Sequence, residues 1–181
     1  LYNDRAPRPG EQDGVAYHFR SRAEIEALAA QPGFIVLPVR RDLQALDVAQ
    51  VTHLLAQGRD ALFEGNPYVA QALATAPQLA TTARLSVFLS PVSQEEIAAL
   101  RAQPGVDLEA TIVEVMRRKQ QRRMARWKPE IGPEDQADIE ARCRAAFAEL
   151  RYAPRFDWVL PNHDGEDSEN WDAFPCPLGD A

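Results

Sequence analysis

Two arginines near the start of the chain have the spacing and surroundings of an anion-binding pair. Arg5 and Arg8 lie three residues apart, and prolines on both sides of Arg8 stiffen the backbone. A stiff segment loses less conformational entropy when an anion binds, and a guanidinium group can contact a phosphate through two parallel hydrogen bonds. Glu11 can hold one arginine in place, and Tyr17 can add a hydroxyl donor. The segment could recognise a phosphate group, but its composition alone favours an exposed loop with an incidental ion pair.

A second group of cations lies inside a long helical pattern in the middle of the chain. Arginines on a helix that reaches over a phosphoryl group can stabilise the charge that spreads in the transition state. The same residues can instead form a solvated helix face that ends at Trp127. The run consists of Arg117, Arg118, Lys119, Arg122, Arg123 and Arg126.

The chain becomes acidic and irregular after Asn162. Carboxylates and a histidine in this region could bind a divalent cation, but their spacing fits no calcium-loop template, and acidic tails are usually solvated. We therefore expect no metal site. The residues concerned are His163, Asp164, Glu166, Asp167, Glu169 and Asp172.

The hydrophobic pattern predicts a scaffold in which strands alternate with helices. Helical patterns begin near Ser21, Asp47, Tyr68, Ser93, Asp107 and Gln136. Short apolar runs predict strands at 17–19, 34–39, 60–63, 85–89 and 156–160. Because alternating strands and helices pair their strands in parallel, we expect a three-layer α/β domain. His53 lies among apolar residues of a predicted helix, so we expect it to be packed rather than catalytic.

Composition narrows the range of functions. The 181 residues are 45% hydrophobic and 26% charged, as in globular domains. The net charge of −7 argues against a nucleic-acid polymer as partner, because phosphate backbones require a broad basic surface. Cys143 and Cys176 have no ligand-like spacing, so we expect free thiols in a reducing compartment. No apolar run is long enough to span a membrane, and we expect a cytoplasmic protein without a membrane partner.

The segment from Arg5 to Phe19 resembles the substrate-side signature of guanylate kinases. It matches every fixed position of R-x-P-R-x-G-E-x-x-G-x-x-Y-x-F. In that family, the positions matched by Arg5, Arg8 and Tyr17 bind the phosphate of the nucleoside monophosphate. The resemblance implies the same role here, and Glu11 is assigned with them to the substrate site.

Two further segments are similar to the same family. Residues 156–164, F-D-W-V-L-P-N-H-D, resemble its last strand and turn, F-D-Y-V-V-x-N-D-D, which implies that Asn162 lies near the adenine of ATP. Residues 58–66, G-R-D-A-L-F-E-G-N, resemble G-x-x-x-L-L-D-I-D. This second match implies that Glu64 and Asn66 replace two aspartates near the substrate and magnesium.

The order of these segments implies the family's fold over nearly the whole chain. We expect a P-loop-type three-layer α/β fold with a parallel sheet, a small subdomain for the monophosphate and a helical lid. Arg117 and Arg118 take the approximate place of the lid arginines, which implies a catalytic role for both. The expected divisions are 1–47 for the monophosphate-binding subdomain, 48–106 for the core, 107–140 for an enlarged lid, and 141–181 for the last core helix, the last strand and the acidic tail.

The chain departs from the family at the positions that recognise guanine. The guanine-binding glutamate corresponds to Val36 and a serine corresponds to Leu1, so both polar groups are lost. The family's G-N-Y-Y-G corresponds to R-D-L-Q-A at 41–45, without a tyrosine. A site that loses such hydrogen bonds loses orders of magnitude of discrimination. We therefore expect a base other than guanine.

The family's ATP-binding loop, G-x-x-x-x-G-K-[ST], has no counterpart among the 181 residues. The resemblance implies ATP and Mg²⁺, since that loop cradles the ATP phosphates. A sheet without its middle strand would expose its core, so we expect the missing strand and loop to precede Leu1. The expected activity is phosphoryl transfer from ATP to a nucleoside monophosphate. The alternative is a non-catalytic domain of the same family that binds a phosphorylated ligand or peptide.

Overall fold

A computed structural model describes residues 1–8, 10–128 and 130–163. The chain divides into two compact units, of which the first comprises Leu1–Arg84 and the second begins at Leu85. Among the described residues, no helix has the length and apolar character needed to cross a membrane.

The first unit is built on a mixed four-stranded sheet. Its strands are β1 (Tyr2–Asn3), β2 (His18–Phe19), β3 (Phe34–Val39) and β4 (Asp42–Asp47), in the spatial order β2-β1-β4-β3. β1 and β2 are parallel, whereas β4 pairs antiparallel with both β1 and β3. The expected strand at 17–19 therefore exists as β2, at one edge of the sheet.

Helices cover both faces of this sheet. Because side chains of a strand alternate between its faces, β3 and β4 contribute to two separate apolar clusters. Under α1 (Arg22–Leu28), the cluster contains Ile25, Leu28, Phe34, Val36, Leu43, Ala45 and Tyr2. The other face is covered by α2 (Val48–Ala56), α3 (Pro67–Thr75) and a 3₁₀ turn at Pro77–Leu79, and its cluster includes Ile35, Leu37, Val39, Leu46, Val48, Val69 and Leu79.

Two expectations for the first unit are wrong. No strand forms at 60–63, and Leu62 is 99% exposed. A strand needs a hydrogen-bonded neighbour, and no described strand pairs with this segment. His53 is exposed rather than packed, and its Nε2 lies 2.9 Å from Nε2 of Gln57 one turn later.

The second unit contains a parallel pair of strands, β5 (Val87–Ser90) and β6 (Trp158–Pro161). Between them the chain forms α4 (Gln94–Ala102), α5 (Leu108–Trp127), α6 (Pro133–Leu150) and a 3₁₀ turn at Ala153–Arg155. A parallel pair requires such a crossover. The α/β architecture expected from the alternation of strands and helices is therefore confirmed.

Helix boundaries follow the capping signals. Ser21 caps α1 and Ser93 caps α4, each within a capping box as the sequence predicts. α6 begins at Pro133 instead of Gln136. Proline suits the first turn of a helix, where its missing N–H has no intrahelical partner to lose.

The β5–β6 pair carries an exposed apolar surface. Phe88 and Ser90 are buried, while the alternate residues of β5 point outward. Parallel strands are normally covered on both faces, so exposure on this scale is unusual. The exposed large apolar residues are Leu85, Val87, Leu89, Trp158, Val159 and Leu160.

Candidate functional site

The guanidinium group of Arg5 is held by the carboxylate of Glu11. Nη1 and Nη2 of Arg5 donate to Oε2 and Oε1 at 2.7 and 2.6 Å, and Nη1 also donates to the Ala6 carbonyl at 2.9 Å. The two side chains are only 15% and 20% exposed. These hydrogen bonds from Arg5 lower the pKa of Glu11 from 4.5 to about 2, because they stabilise the charged carboxylate. The ion pair that the sequence suggests is therefore present.

Two aromatic rings lie against the same guanidinium group. Cζ of Arg5 is 5.1 Å from the ring centroid of Tyr17 and 5.4 Å from that of Phe19. Both distances lie within the range of cation–π attraction. Glu11 and the two rings thus fix the direction of one guanidinium group, which explains why the signature specifies these residue types.

The two fixed glycines shape residues 5–19, which we call the arginine loop. Gly10 and Gly14 have φ angles of 88° and 78°, a left-handed conformation that other residues adopt only at a cost. After Gly10, the N–H of Glu11 donates to the Arg8 carbonyl at 3.0 Å. The N–H of Gly14 donates to the Tyr17 carbonyl at 2.8 Å. These turns bring the carboxylate and the phenol ring back to the guanidinium group.

Two residues that no sequence motif singles out, Asn3 and Asp4, anchor the arginine loop to the sheet. Asn3 is 1% exposed, and its Oδ1 accepts a hydrogen bond from the backbone N–H of Arg5 at 3.1 Å. Asp4 accepts from the N–H of Leu43 at 2.8 Å and from Nη1 of Arg22 at 2.9 Å. Asn and Asp often bond to nearby backbone, which is a usable signal for Asn3. The contact with Leu43 spans 39 residues and has no local signal.

Arg8 is the exposed member of the arginine pair. Its backbone N–H donates to Oε2 of Glu11 at 2.7 Å. Its side chain makes no hydrogen bond or ion pair within the part of the chain that the structure describes. Arg5 uses three of its five side-chain N–H donors in the contacts above. The other two donate to no acceptor among the described residues. The loop therefore offers one whole guanidinium group and two further charged donors.

Glu64 and Asn66 lie just before α3. Glu64 is exposed. Asn66 is the N-cap of α3, where its Oδ1 accepts a hydrogen bond from the N–H of Tyr68 at 3.1 Å. This contact satisfies a helix donor that would otherwise lack an intrahelical partner. A substrate-binding role for both residues stays a prediction.

In the second unit, Arg117 links α5 to α6. Its Nε and Nη2 donate to Oε1 and Oε2 of Glu140 at 2.7 and 3.1 Å, and its Nη1 donates to Glu114 at 2.5 Å. The hydrogen bonds to Glu140 and then Glu114 raise the pKa of Arg117. Arg118 is 68% exposed, and its Nε donates to Glu114 at 3.0 Å. Arg118 is therefore the more accessible of the two, and a catalytic role for either stays a prediction.

Asn162 lies at the carboxyl ends of the parallel strands. Its N–H donates to the Ser90 carbonyl at 2.7 Å, and its own carbonyl accepts a hydrogen bond from the ammonium group of Lys119 on α5. Ligands of open α/β sheets bind outside the carboxyl ends of strands. The position is compatible with the predicted ATP contact, which stays a prediction.

The described residues contain no group of three or more His, Cys, Asp or Glu side chains that could hold a metal ion. Nε2 of His163 lies 2.8 Å from Oε2 of Glu96, the N3 residue of α4. The acidic residues from Asp164 onward that the sequence singles out lie outside the described residues.

The two positions expected to have lost base recognition are packed among apolar residues. Val36 belongs to the cluster under α1, and Leu1 packs against the cluster on the opposite face of the sheet. Neither side chain carries a hydrogen-bonding group. Neither can therefore read the polar edge of a base.

Comparison with known proteins points in one direction. No family model matches the chain. The chain is 30% identical over 163 residues to a protein named guanylate kinase from Dechloromonas aromatica. The aligned region covers 89% of this chain and 65% of that protein. Guanylate kinases from Alkalilimnicola ehrlichii and Nitrosococcus oceani are 29% and 32% identical over 90% and 91% of this chain. The chain spans 66% of the length of each, so it corresponds to slightly less than two thirds of these relatives.

The fold agrees with these sequence matches. A crystal structure of guanylate kinase from Anaplasma phagocytophilum superposes with a TM-score of 0.57 at 19% identity, over 95% of this chain and 69% of that one. At this identity the superposition establishes the fold, which is the α/β fold of P-loop nucleotide kinases. Taken with the sequence matches over nine tenths of its length, it shows that the chain belongs to the guanylate kinase-like family.

Proposed function

We propose that this chain carries the monophosphate-accepting part of a nucleotide kinase, and that the arginine loop binds the phosphate group of a nucleoside monophosphate. The observation that carries the proposal is the fixed guanidinium group of Arg5 beside the exposed side chain of Arg8. A phosphate monoester carries close to two negative charges near neutral pH and three acceptor oxygens. Two guanidinium groups meet both requirements.

Arg5 is fixed in direction and Arg8 is exposed, and this difference supports the proposal. Glu11 neutralises part of the charge of Arg5 but fixes the direction of its remaining donors. Arg8 brings a charge that has no ion-pair partner within the described residues. Binding would therefore orient the phosphate against a pre-organised group, while the exposed side chain of Arg8 adds a second guanidinium contact. Orientation of this kind supplies most of the catalysis in phosphoryl transfer.

The same proposal includes finer assignments that the sequence suggests. Residues 1–47 would form the monophosphate-binding subdomain, and 107–140 a lid whose Arg117 or Arg118 stabilises the transferring group. Glu64 and Asn66 would contact the sugar or the base. The apolar surroundings of Val36 and Leu1 support a preference for a base other than guanine.

The residues of this chain do not fit the phosphates of ATP. The 181 residues contain no glycine-rich loop followed by lysine and serine or threonine, and backbone N–H groups of such a loop are what cradle those phosphates. The role proposed for this chain is therefore the binding of the acceptor nucleotide.

Calorimetric titration with a panel of nucleoside monophosphates and the matching nucleosides tests the proposal. We expect the monophosphates to bind and the nucleosides to bind far more weakly, since the phosphate supplies the main contacts. Equal affinity for both would contradict the proposal. Among the bases, tightest binding of GMP would contradict the proposed preference.

The rival function is a non-catalytic domain that binds a phosphorylated peptide. The absence of polar groups at Val36 and Leu1 also suits this alternative, because a peptide presents no base to be read. A phosphoserine peptide and a nucleoside monophosphate can be compared as competitors for the same site. Tighter binding of the peptide would favour the rival, and displacement by the monophosphate alone would exclude it.

A further inference from the structure

We propose that the carboxamides of Asn3 and Gln44 recognise the base of the bound nucleoside monophosphate, and that this base is a pyrimidine. The inference rests on the proposed function, because it places the base beside the phosphate that the arginine loop would bind. It is carried by two buried polar side chains whose hydrogen-bonding groups are only partly used within the described part of the chain.

Asn3 and Gln44 lie opposite each other on one face of the first sheet. They are direct partners in the antiparallel pairing of β1 with β4, and the side chains of directly opposite residues share a face. Leu43 and Ala45 belong to the cluster under α1. Because side chains alternate along a strand, Gln44 points to the opposite face, which α2 and α3 cover. The two carboxamides are therefore neighbours on that face.

Both side chains are buried but keep polar groups that no described residue uses. Asn3 and Gln44 are 1% and 9% exposed. Oδ1 of Asn3 accepts from the backbone N–H of Arg5, whereas its Nδ2 and the whole carboxamide of Gln44 bond to no described residue. Among the described residues, every fully buried side-chain nitrogen or oxygen has a partner, so these unpaired atoms must reach the surface. A ligand that pairs with them removes the cost of poorly solvated polar groups.

The two carboxamides lie next to the arginine loop. Arg5 follows Asn3 by two residues, which is at most about 7 Å of extended chain. The hydrogen bond from the backbone N–H of Arg5 to Oδ1 of Asn3 is 3.1 Å long. The base of a nucleotide is separated from its phosphate by a single ribose. A phosphate held by Arg5 and Arg8 therefore leaves the base within reach of Asn3 and Gln44.

The unused groups match the Watson–Crick edge of a pyrimidine, an edge that proteins commonly read in unpaired bases. Gln44 offers one acceptor and one amino group, and Asn3 offers an amino group, since its oxygen already accepts from Arg5. Uracil and cytosine each present two acceptors and one donor on this edge, so all can be paired. Guanine presents two donors and one acceptor, and adenine one of each, so either purine leaves a group unpaired. Unpaired polar groups in a binding site strongly lower affinity.

Calorimetric titration of the full chain with UMP, CMP, AMP, GMP and ribose 5-phosphate tests the inference. Ribose 5-phosphate carries the phosphate without a base, so it reports on the arginine loop alone. We expect UMP or CMP to bind more tightly than the other three compounds, and the tighter of the two identifies the pyrimidine. We expect Gln44→Met to weaken binding of that nucleotide by roughly 10- to 100-fold and to leave the affinity for ribose 5-phosphate unchanged.

A matched control and a stability measurement separate recognition from a structural role. Gln31→Met removes the same carboxamide from an exposed position and should leave every affinity unchanged. Gln44→Met should not lower the free energy of unfolding of the ligand-free protein, since methionine has a similar volume and no unpaired polar group. A lower free energy of unfolding, together with equal losses of affinity for the nucleotide and for ribose 5-phosphate, would give Gln44 a structural role and overturn the proposal.

The titrations also distinguish failure of this inference from failure of the proposed function. If neither ribose 5-phosphate nor any of the four nucleotides binds the parent chain, the phosphate site itself is wrong. If they bind but Gln44→Met changes no nucleotide affinity, the base is recognised elsewhere and the inference is wrong. Tightest binding of AMP or GMP would also overturn it, while the phosphate site would stand.

Discussion

At the scale of single residues, the two arginines of the loop have different surroundings. Arg5 is fixed by a carboxylate and two rings, whereas the side chain of Arg8 is exposed. Removal of Arg5 would leave the mostly buried carboxylate of Glu11 without its partner, so any loss of binding would be mixed with a loss of stability. Arg8 is the position at which binding can be tested cleanly.

We expect Arg8→Ala to weaken nucleoside monophosphate binding without changing the free energy of unfolding. A hydrogen bond to a charged group contributes about 1.5–3 kcal/mol, which corresponds to roughly 10- to 150-fold in the dissociation constant. Calorimetry measures the affinity, and urea unfolding measures the stability. Arg20→Ala is the matched control, because Arg20 lies beside the same loop but is paired with Asp13 at 3.0 Å. Equal losses of affinity in both variants would mean that the positive charge near the loop, and not a direct contact with Arg8, causes the effect.

The pKa of Glu11 predicts a defined pH dependence. Its folded-state value is lowered to about 2, so the stability that this carboxylate contributes is present above the unfolded-state value near 4.5 and is lost as the pH falls toward 2. We expect Glu11→Gln to have a flatter stability profile between pH 4.5 and 2 than the parent chain. The carboxyl carbon shift of Glu11 should titrate near 2, and titration near 4.5 would mean that the ion pair is absent in solution.

At the scale of elements, the arginine loop depends on its two left-handed glycines. A Cβ at Gly14 would meet no atom within 4 Å, so substitution there tests backbone conformation alone. We expect Gly14→Ala to destabilise the protein by about 1–2 kcal/mol in urea unfolding. Gly14→Asn should recover part of this loss, since asparagine tolerates the left-handed region better. If both variants lower the free energy of unfolding equally, the left-handed conformation at this residue would not be the cause of the destabilisation.

The link between α5 and α6 can be measured by a double-mutant cycle. Arg117 and Glu140 are each less than one third exposed and share two hydrogen bonds. We expect the destabilising effects of Arg117→Met and Glu140→Gln in urea unfolding to be non-additive, with a favourable coupling between the two side chains. Arg118→Met with Glu140→Gln serves as the control, because Arg118 pairs with Glu114 instead. Strict additivity in the Arg117 cycle would mean that Glu140 does not hold this side chain in solution. The side chain would then be available for the catalytic role that the sequence suggests.

Local signals explain what the sequence predicts about these elements. Ser21 and Ser93 mark helix starts correctly, and the pairing of Arg5 with Glu11 spans only six residues. Strands were harder to predict, because a strand exists only with a partner that can be distant in sequence. The sequence therefore overpredicts a strand at 60–63 and misses β4 at 42–47, which pairs with both β1 and β3.

At the scale of the whole molecule, the exposed apolar surface of β5 and β6 should promote dye binding and self-association. Soluble proteins rarely expose contiguous large apolar residues, and a parallel strand pair with exposed side chains is open to association. We expect the 181-residue chain to bind the dye ANS and to self-associate with rising concentration. Leu89→Lys with Trp158→Lys should lower both signals, because these side chains are 62% and 60% exposed. Unchanged dye binding in that variant would place the apolar surface elsewhere.

The contacts inside the arginine loop are short in sequence, since even the pair Arg5 and Phe19 is separated by only fourteen residues. Closing so small a loop costs little entropy, and loops of this size close in well under a microsecond. Brief local openings should therefore let the amide of Gly14 exchange with deuterium while the sheet stays intact. The amide of Leu43, which is bonded to Asp4 across 39 residues and lies in the buried strand β4, should exchange more slowly. Hydrogen exchange thus distinguishes local opening of the arginine loop from unfolding of the sheet to which the loop is attached.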